Sequence, residues 1–192
     1  QMKMRGENME KISCSLREFL QVLEEEGMLM RVKEEVNPEP DIGAAGRAAA
    51  NSAWKPAVLF EKVKGYTTPV VTNVHGSWKS HALMLGMDKN TPVKEQFFEL
   101  NRRWDAYPVE PVIVKREEAP CKENSITENI DLFQVLSPYR INDQDGGFFL
   151  SKAAVITGDP EYPDDMNKLN VGTYRIQIKD RDRVGIQALP FH

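Results

Sequence analysis

Cysteine and histidine are scarce: the 192 residues include two cysteines and three histidines. Cys14 and Cys121 lie far apart with no CxxC or Cys/His spacing, which argues against a zinc knot or a disulfide framework and makes a reduced, cytoplasmic setting the default. A site needing several imidazoles would have to use nearly all of His75, His81 and His192. The sequence has no run of about 18 apolar residues to span a bilayer and no apolar segment after the opening residues to act as an export signal. The expectation is a soluble chain with no membrane role. A basic excess is also missing, since 25 Lys and Arg stand against 29 Asp and Glu for a net charge of -4. Without that excess there is little counterion release to drive phosphate-backbone binding, so no nucleic-acid partner is expected.

With 41% hydrophobic and 28% charged residues, the chain can bury a sizeable core in one or two domains. Residues 1–8, QMKMRGEN, carry no apolar period and read as a tag remnant or disordered leader, with Met9 as the natural start. From Ser15 the run SLREFLQVLEEEG places Leu16, Phe19, Leu20 and Leu23 on one helical face. A Ser15/Glu18 capping box opens this helix and Gly27 closes it. MLMRVKEEV then reads as a strand, which Pro38 and Pro40 stop before a small-residue helix from about Asp41 to Asn51. AVLFEKV and PVVTNV are predicted to be strands joined by a turn at Lys64 and Gly65. Thr91 and Pro92 predict the N-cap and N1 of a helix carrying Phe97, Phe98 and Leu100 that decays by Tyr107 and Pro108.

Pro108, Pro111 and Pro120, with the charge run from Lys115 to Glu118, mark a linker over residues 106–124. The expected organisation is an N-terminal α/β domain over 9–105, this linker, and a strand-rich part over 125–192. In that part GFFLSKAAVIT, NVGTYRIQIKD and VGIQALPF read as strands. The acidic loop GDPEYPDDMNK reads as solvated surface, because it lacks calcium-loop spacing. His75 reads as a turn histidine and His81 as a residue at a helix start. Trp54, Trp78 and Trp104 are expected to pack, and Met84 and Met87 to fill a helix. No phosphate-loop glycine spacing supports nucleotide triphosphate binding.

The last two strands form the most informative constellation. A hairpin turning at Asp180 to Arg183 sets Ile178 against Gly185, a register that could slip by one, and brings Asn170 and His192 to the same end. An amide oxygen and an imidazole are suitable ligands for a divalent cation, although such a site also needs a carboxylate. Strict alternation sends Arg175 to the face opposite Asn170 unless a bulge intervenes, and Gly172 is where a bulge could sit. On residue pattern alone, Asn170 is a strand-start amide, Arg175 a surface arginine and His192 a residue without a role. Ile176 and Ile178 fall on one face, and Arg175, Gln177 and Lys179 on the other.

The segment NVGTYRIQIKDRDRVGIQALPFH resembles the UbiD family of reversible decarboxylases, in which an N-x-x-x-Y-R strand and a hairpin precede a histidine. The likeness extends to LREFLQVLEEEGMLMRVKEEVNPEPDI, AVLFEKVKGYTTPVVTNVHGS and APCKENSITENIDLFQVLSP, and is greatest to bacterial hydroxyaryl acid decarboxylases. The resemblance implies an α+β fold: the N-terminal α/β domain followed by the first strands of an antiparallel split β-barrel like those of flavin reductases, truncated at residue 192. It also implies prenylated FMN held through a divalent metal, manganese, and a monovalent cation, K+. Asn170 and His192 correspond to metal ligands; Thr173, Tyr174 and Arg175 correspond to cofactor-lining residues, joined on weaker alignment by Ser151, Leu189 and Pro190. Arg175 also corresponds to the arginine of a Glu-Arg-Glu catalytic network whose carboxylates, like the third metal ligand, belong to later segments.

The implied reaction removes carbon dioxide from a hydroxybenzoate-type acid, the flavin serving as electron sink. The implied partners are the small aromatic acid, a flavin prenyltransferase that supplies the cofactor, and further copies of the full-length chain in a homo-oligomer. The 192 residues alone are expected to be inactive and to bind metal weakly. Polyprenyl-hydroxybenzoate decarboxylation is the alternative within the family. A non-catalytic flavin-binding or assembly module is the alternative outside it.

Overall fold

Ser15 has extended backbone angles and its hydroxyl accepts the Glu18 amide at 3.2 Å, so one otherwise orphaned N–H at the start of helix α1 (Leu16–Glu25) is satisfied. The computed structural model describes residues 15–106 and 112–187. The leader at residues 1–8, and Leu189, Pro190 and His192, lie outside the described residues. Phe19 and Leu23 form the buried face of α1, whereas Leu16 is more than half exposed. The predicted apolar face is thus narrower than its periodicity. Gly27, at φ +68°, ends the helix in a conformation that favours glycine.

The chain then forms β1 (Leu29–Val36), an irregular helical turn (Pro38–Ile42), α2 (Gly43–Asn51), β2 (Ala57–Val63) and β3 (Val70–Thr72). β1 pairs parallel with β2, and β3 returns antiparallel after the Lys64-Gly65 turn, giving the order β1-β2-β3. A parallel pair needs a crossover, and α2 supplies it. Gly46 allows α2 close to the sheet, since a Cβ there would meet Thr72 Oγ1 at 2.9 Å. The central strand is the most buried, with Ala57, Val58, Phe60 and Val63 all inside. Phe19, Leu23, Met28, Ala57 and Leu83 form one apolar cluster. Burying a side chain the size of Leu23 or Phe60 contributes about 1.5–3 kcal/mol.

Helix α3 (Trp78–Met84) starts at a full Ser77/Ser80 capping box, and α4 spans Val93–Trp104. His81 therefore lies within α3 and not at its start. Its ring meets Trp78 edge-on at 5.1 Å and His75 at 5.8 Å, while Trp78 also meets Phe97 at 5.8 Å. Trp78 thus packs in a cluster of side-chain rings, as expected, although it stays half exposed. Pro92, not Thr91, occupies the N-cap of α4, because the Thr91 hydroxyl is engaged with the Asp88 carbonyl at 2.6 Å. Among the described residues no helix is long and apolar enough to cross a membrane.

The chain divides into two compact units, Gln1–Asn37 with Asp41–Asn124, and Pro38–Pro40 with Ser125–His192. The second contains α5 (Leu132–Leu136), β4 (Phe148–Thr157), β5 (Asn170–Asp180) and β6 (Arg183–Gly185), an antiparallel sheet in the order β4-β5-β6. Phe133 of α5 meets Phe148 edge-on at 5.3 Å. Strand β6 ends at Gly185, so Ile186 and Gln187 of the predicted run VGIQALPF fall outside it, and residues 188–191 of that run lie outside the described residues. Its register is slipped by one beyond the turn: Asp180 faces Arg183, but Ile178 faces Val184 in place of Gly185, leaving Lys179 as the extra residue.

Glu39 belongs to this second unit through Arg140. The Glu39 carboxylate accepts the Arg140 amide at 2.8 Å and the guanidinium at 2.8 to 3.2 Å. The Arg140 side chain holds the Glu39 carboxyl below its ordinary value of 4.5. A carboxylate depressed in the folded state stabilises it above the unfolded value, and that contribution is lost as pH falls through the lower folded value. Melting temperature should therefore fall between neutral pH and pH 3 more steeply in the parent than in Glu39→Gln, as read by circular dichroism. Equal slopes would remove the pair from the acid limb.

Candidate functional site

Strand β5 carries the sequence-predicted site residues in an alternating pattern. Ile176 and Ile178 are buried, Tyr174 is half-buried on the same face, and Thr173 and Arg175 are exposed on the other. Pairing with β4 is regular from Asn170 opposite Thr157 to Tyr174 opposite Ala153. Gly172 is therefore not a bulge. The irregularity lies on the partner strand: Leu150 faces Ile176 and Ala153 faces Tyr174, so Ser151 and Lys152 both oppose Arg175. The structure thus brings Ser151 and Arg175 to one point of the ladder and leaves Asn170 on the face opposite Arg175, at the first position of the strand.

The role of Gly172 is steric. A Cβ at this position would lie 3.1 Å from Tyr174 Cζ and 3.2 Å from Cδ2, and closer still to Cε2. The Tyr174 ring lies back over the space that the glycine leaves open. Gly172→Ala should force that ring out of place and destabilise the second unit by about 1–3 kcal/mol, the usual cost of overpacking. A thermal melt of Gly172→Ala unchanged from the parent would show that the ring can move without cost.

Arg175 is held from two directions. Its Nη2 donates to Asp145 Oδ1 at 2.6 Å, and its guanidinium carbon lies 3.7 Å from the centre of the Phe149 ring. The ion pair with Arg175 holds the Asp145 carboxyl below its ordinary range. The loop that carries Asp145 is fastened to the same strand face, since Gln177 Nε2 donates to the Gly146 carbonyl at 3.3 Å. Gly147 adopts φ +147°, and a Cβ there would meet Gln177 Nε2 at 2.9 Å. The positive φ is what favours glycine at this corner, since the Gln177 amide is the end of a flexible side chain that could shift. Sequence reasoning missed Asp145 and Phe149. The available signal was the Asp-Gly-Gly corner leading into an aromatic strand.

Chemically, this face offers a half-exposed guanidinium with its plane fixed, with the bulged Ser151 opposite it in the ladder and Thr173 two residues away on the same face. A fixed arginine fork suits a planar carboxylate or a phosphate. For a metal, Asn170 supplies one neutral oxygen. Among the described residues no group of three or more His, Cys, Asp or Glu could hold an ion, and the acidic loop uses Asp159 and Asp165 in local turns. His192, the second expected ligand, lies outside the described residues.

Residues 20–100 match the 3-octaprenyl-4-hydroxybenzoate carboxy-lyase N-terminal domain, and residues 112–192 match the Rift-related domain of the same enzyme family. A phenolic acid decarboxylase of Sedimentibacter hydroxybenzoicus is 72% identical over 185 residues, which is 96% of this chain and 38% of that protein. The vanillic acid decarboxylase ShVdcCD of that organism, solved in its closed form, superposes with a TM-score of 0.90 at 72% identity, covering 95% of this chain and 38% of the other. The UbiD-class enzyme HmfF from Pelotomaculum thermopropionicum, an evolved dimeric form solved in complex with prFMN, gives 0.78 at 36% identity, over 93% and 39% of the two chains. The chain therefore spans well under half the length of the relatives it matches. With both domain matches spread over most of its residues and a mixed α+β fold of two small sheets, the chain belongs to the UbiD family.

Proposed function

We propose that the protein to which these residues belong is a prenylated-FMN-dependent, reversible, non-oxidative decarboxylase of small hydroxybenzoate-type acids. The observation that carries this reading is Arg175, fixed between Asp145 and Phe149 in a chain 72% identical to a phenolic acid decarboxylase. That identity favours a small phenolic acid over a polyprenylated one. Residues 9–105 are read as an N-terminal α/β domain and 106–124 as a linker. Residues 125–192 are read as the first part of a split β-barrel of the flavin-reductase kind.

The donor set fits part of such a cofactor. Ser151 and Thr173 offer exposed hydroxyls, Tyr174 a half-buried ring and Arg175 a cation. Four residues of strand separate Asn170 from Arg175, five steps that span about 17 Å at roughly 3.4 Å per residue, with the two on opposite faces of β5. We assign Leu189 and Pro190 to the cofactor as well. Asn170 and His192 are assigned to a divalent metal, manganese, beside the phosphate, with K+ nearby. Asn170 alone does not make such a site, so a carboxylate must come from elsewhere in the full-length protein. When bound, the flavin supplies the electron sink for the breaking carbon–carbon bond.

The chain's own residues do the rest. Arg175 pairs with the substrate carboxylate and orients it, with its plane already set by the Phe149 ring. Thr173 and Ser151 donate hydrogen bonds on the same side. A carboxylic acid from another segment returns a proton to the ring carbon. The full-length protein is assigned a flavin prenyltransferase as supplier, a cytoplasmic location and a homo-oligomeric state. A second subunit is a further partner, as in ShVdcCD, whose open form was solved with a truncated ShVdcD.

The test is the full-length protein purified from cells that also express a flavin prenyltransferase. A bound flavin chromophore and carbon dioxide release from 4-hydroxybenzoate, vanillate or 3,4-dihydroxybenzoate are expected. A preparation with neither overturns the reading.

A further inference from the structure

We propose that Asp145 is a positioning residue for Arg175, holding the guanidinium against Phe149 by one terminal nitrogen so that the remaining edge of the fork meets an incoming carboxylate. The proposal rests on the reading of Arg175 as the group that binds the substrate carboxylate. A guanidinium carries five N–H donors in a rigid fork. The bond to Asp145 uses Nη2 and is monodentate, which leaves Nε and Nη1 unclaimed among the described residues. Arginine on an open strand face is otherwise free to move among many rotamers, at about 2 kcal/mol of side-chain entropy, and a substrate would have to fix it on binding.

Here that fixing is built in. Asp145 is mostly covered, at 16% side-chain exposure against 50% for Arg175, so the carboxylate is the anchored partner and the guanidinium the presented one. The anchor is itself braced. Asp145 accepts the Ile141 amide at 3.4 Å, and Gln177 fixes the next residue of the loop. The β4 bulge sets two residues against Arg175 and interrupts the regular ladder there. A carboxylate 30 residues earlier in the chain thus sets the orientation of a side chain on β5.

The experiment uses the full-length enzyme loaded with cofactor, with rates normalised to bound flavin so that misfolded protein does not count. Asp145→Asn should lower kcat about 10- to 100-fold with KM for the aromatic acid within about threefold, since displacing a positioning group by an ångström costs on the order of a hundredfold. Asp145→Glu, which keeps the charge, should recover at least a third of the parental kcat. In an Arg175→Lys background, Asp145→Asn should change kcat less than twofold, because the carboxylate acts through the guanidinium. In the cofactor-free protein, phenylglyoxal should modify Arg175 at least fivefold faster in Asp145→Asn than in the parent, as read by peptide mass spectrometry. An Asp145→Asn enzyme with parental kcat, full additivity with Arg175→Lys, an Asp145→Glu as slow as Asp145→Asn, or an unchanged modification rate would each overturn the proposal. If instead the Arg175 variants themselves turn over normally, the reading of Arg175 fails and this proposal falls with it. Slow Arg175 variants beside a normal Asp145→Asn remove only the proposal.

Discussion

Arg175→Ala in the full-length enzyme should cut carbon dioxide release from hydroxybenzoates by about a hundredfold to a few thousandfold while the protein stays folded. The size follows from what is lost. A charge-assisted contact to a substrate carboxylate in a covered site contributes about 3–5 kcal/mol, and each 1.4 kcal/mol is tenfold in rate. The fold loses little, because the Asp145 pair is half exposed on the arginine side and surface pairs contribute at most about 1 kcal/mol. Arg175→Lys keeps the charge but not the planar fork and should be intermediate. Measured turnover beside a thermal melt separates the two effects. Normal turnover in Arg175→Ala would remove this residue from the mechanism.

Asn170→Ala should cost the protein its cofactor. Asn170 is exposed at the first position of β5, opposite Thr157, on the face of Ile176 and Ile178 but beyond the part of it that is buried. Exposed substitutions of this kind shift stability by no more than about 0.5 kcal/mol, so the cofactor-free protein should melt as the parent does. If the amide oxygen helps hold the metal beside the flavin phosphate, bound flavin per protein should fall at least tenfold, read from the visible absorbance of the purified full-length chain. Retained flavin with retained activity would make Asn170 a strand-start amide and nothing more.

The two experiments report on opposite faces of one strand, and the contrast explains what the sequence could and could not tell. The span of β5 from Asn170 to Asp180 was legible because strict alternation with Ile176 and Ile178 on one face leaves little freedom. The α1 helix, β1, β2 and β4 were legible for similar reasons, through a capping serine, a period of apolar residues, or an apolar run bounded by proline and glycine. The α4 cap was misread because Thr91 has a local alternative, the Asp88 carbonyl, that no helix-start rule weighs. The role of Gly172 was misread because a glycine in a strand announces either a bulge or a close approach, and only the Tyr174 ring decides between them.

Sequence by itself determined α1, the strands β1, β2, β4 and β5, the family and the residue types offered to a ligand, since these follow from local periodicity and from a motif contiguous in the chain. Tertiary structure alone decided that β1 and β2 run parallel, that the bulge belongs to Ser151 and Lys152 on β4, and that Arg175 is held by Asp145 and Phe149. Each of these is a contact between residues far apart in sequence. Pairing register and side-chain partnership are set by which surfaces meet when the chain closes on itself, a quantity that no local pattern carries.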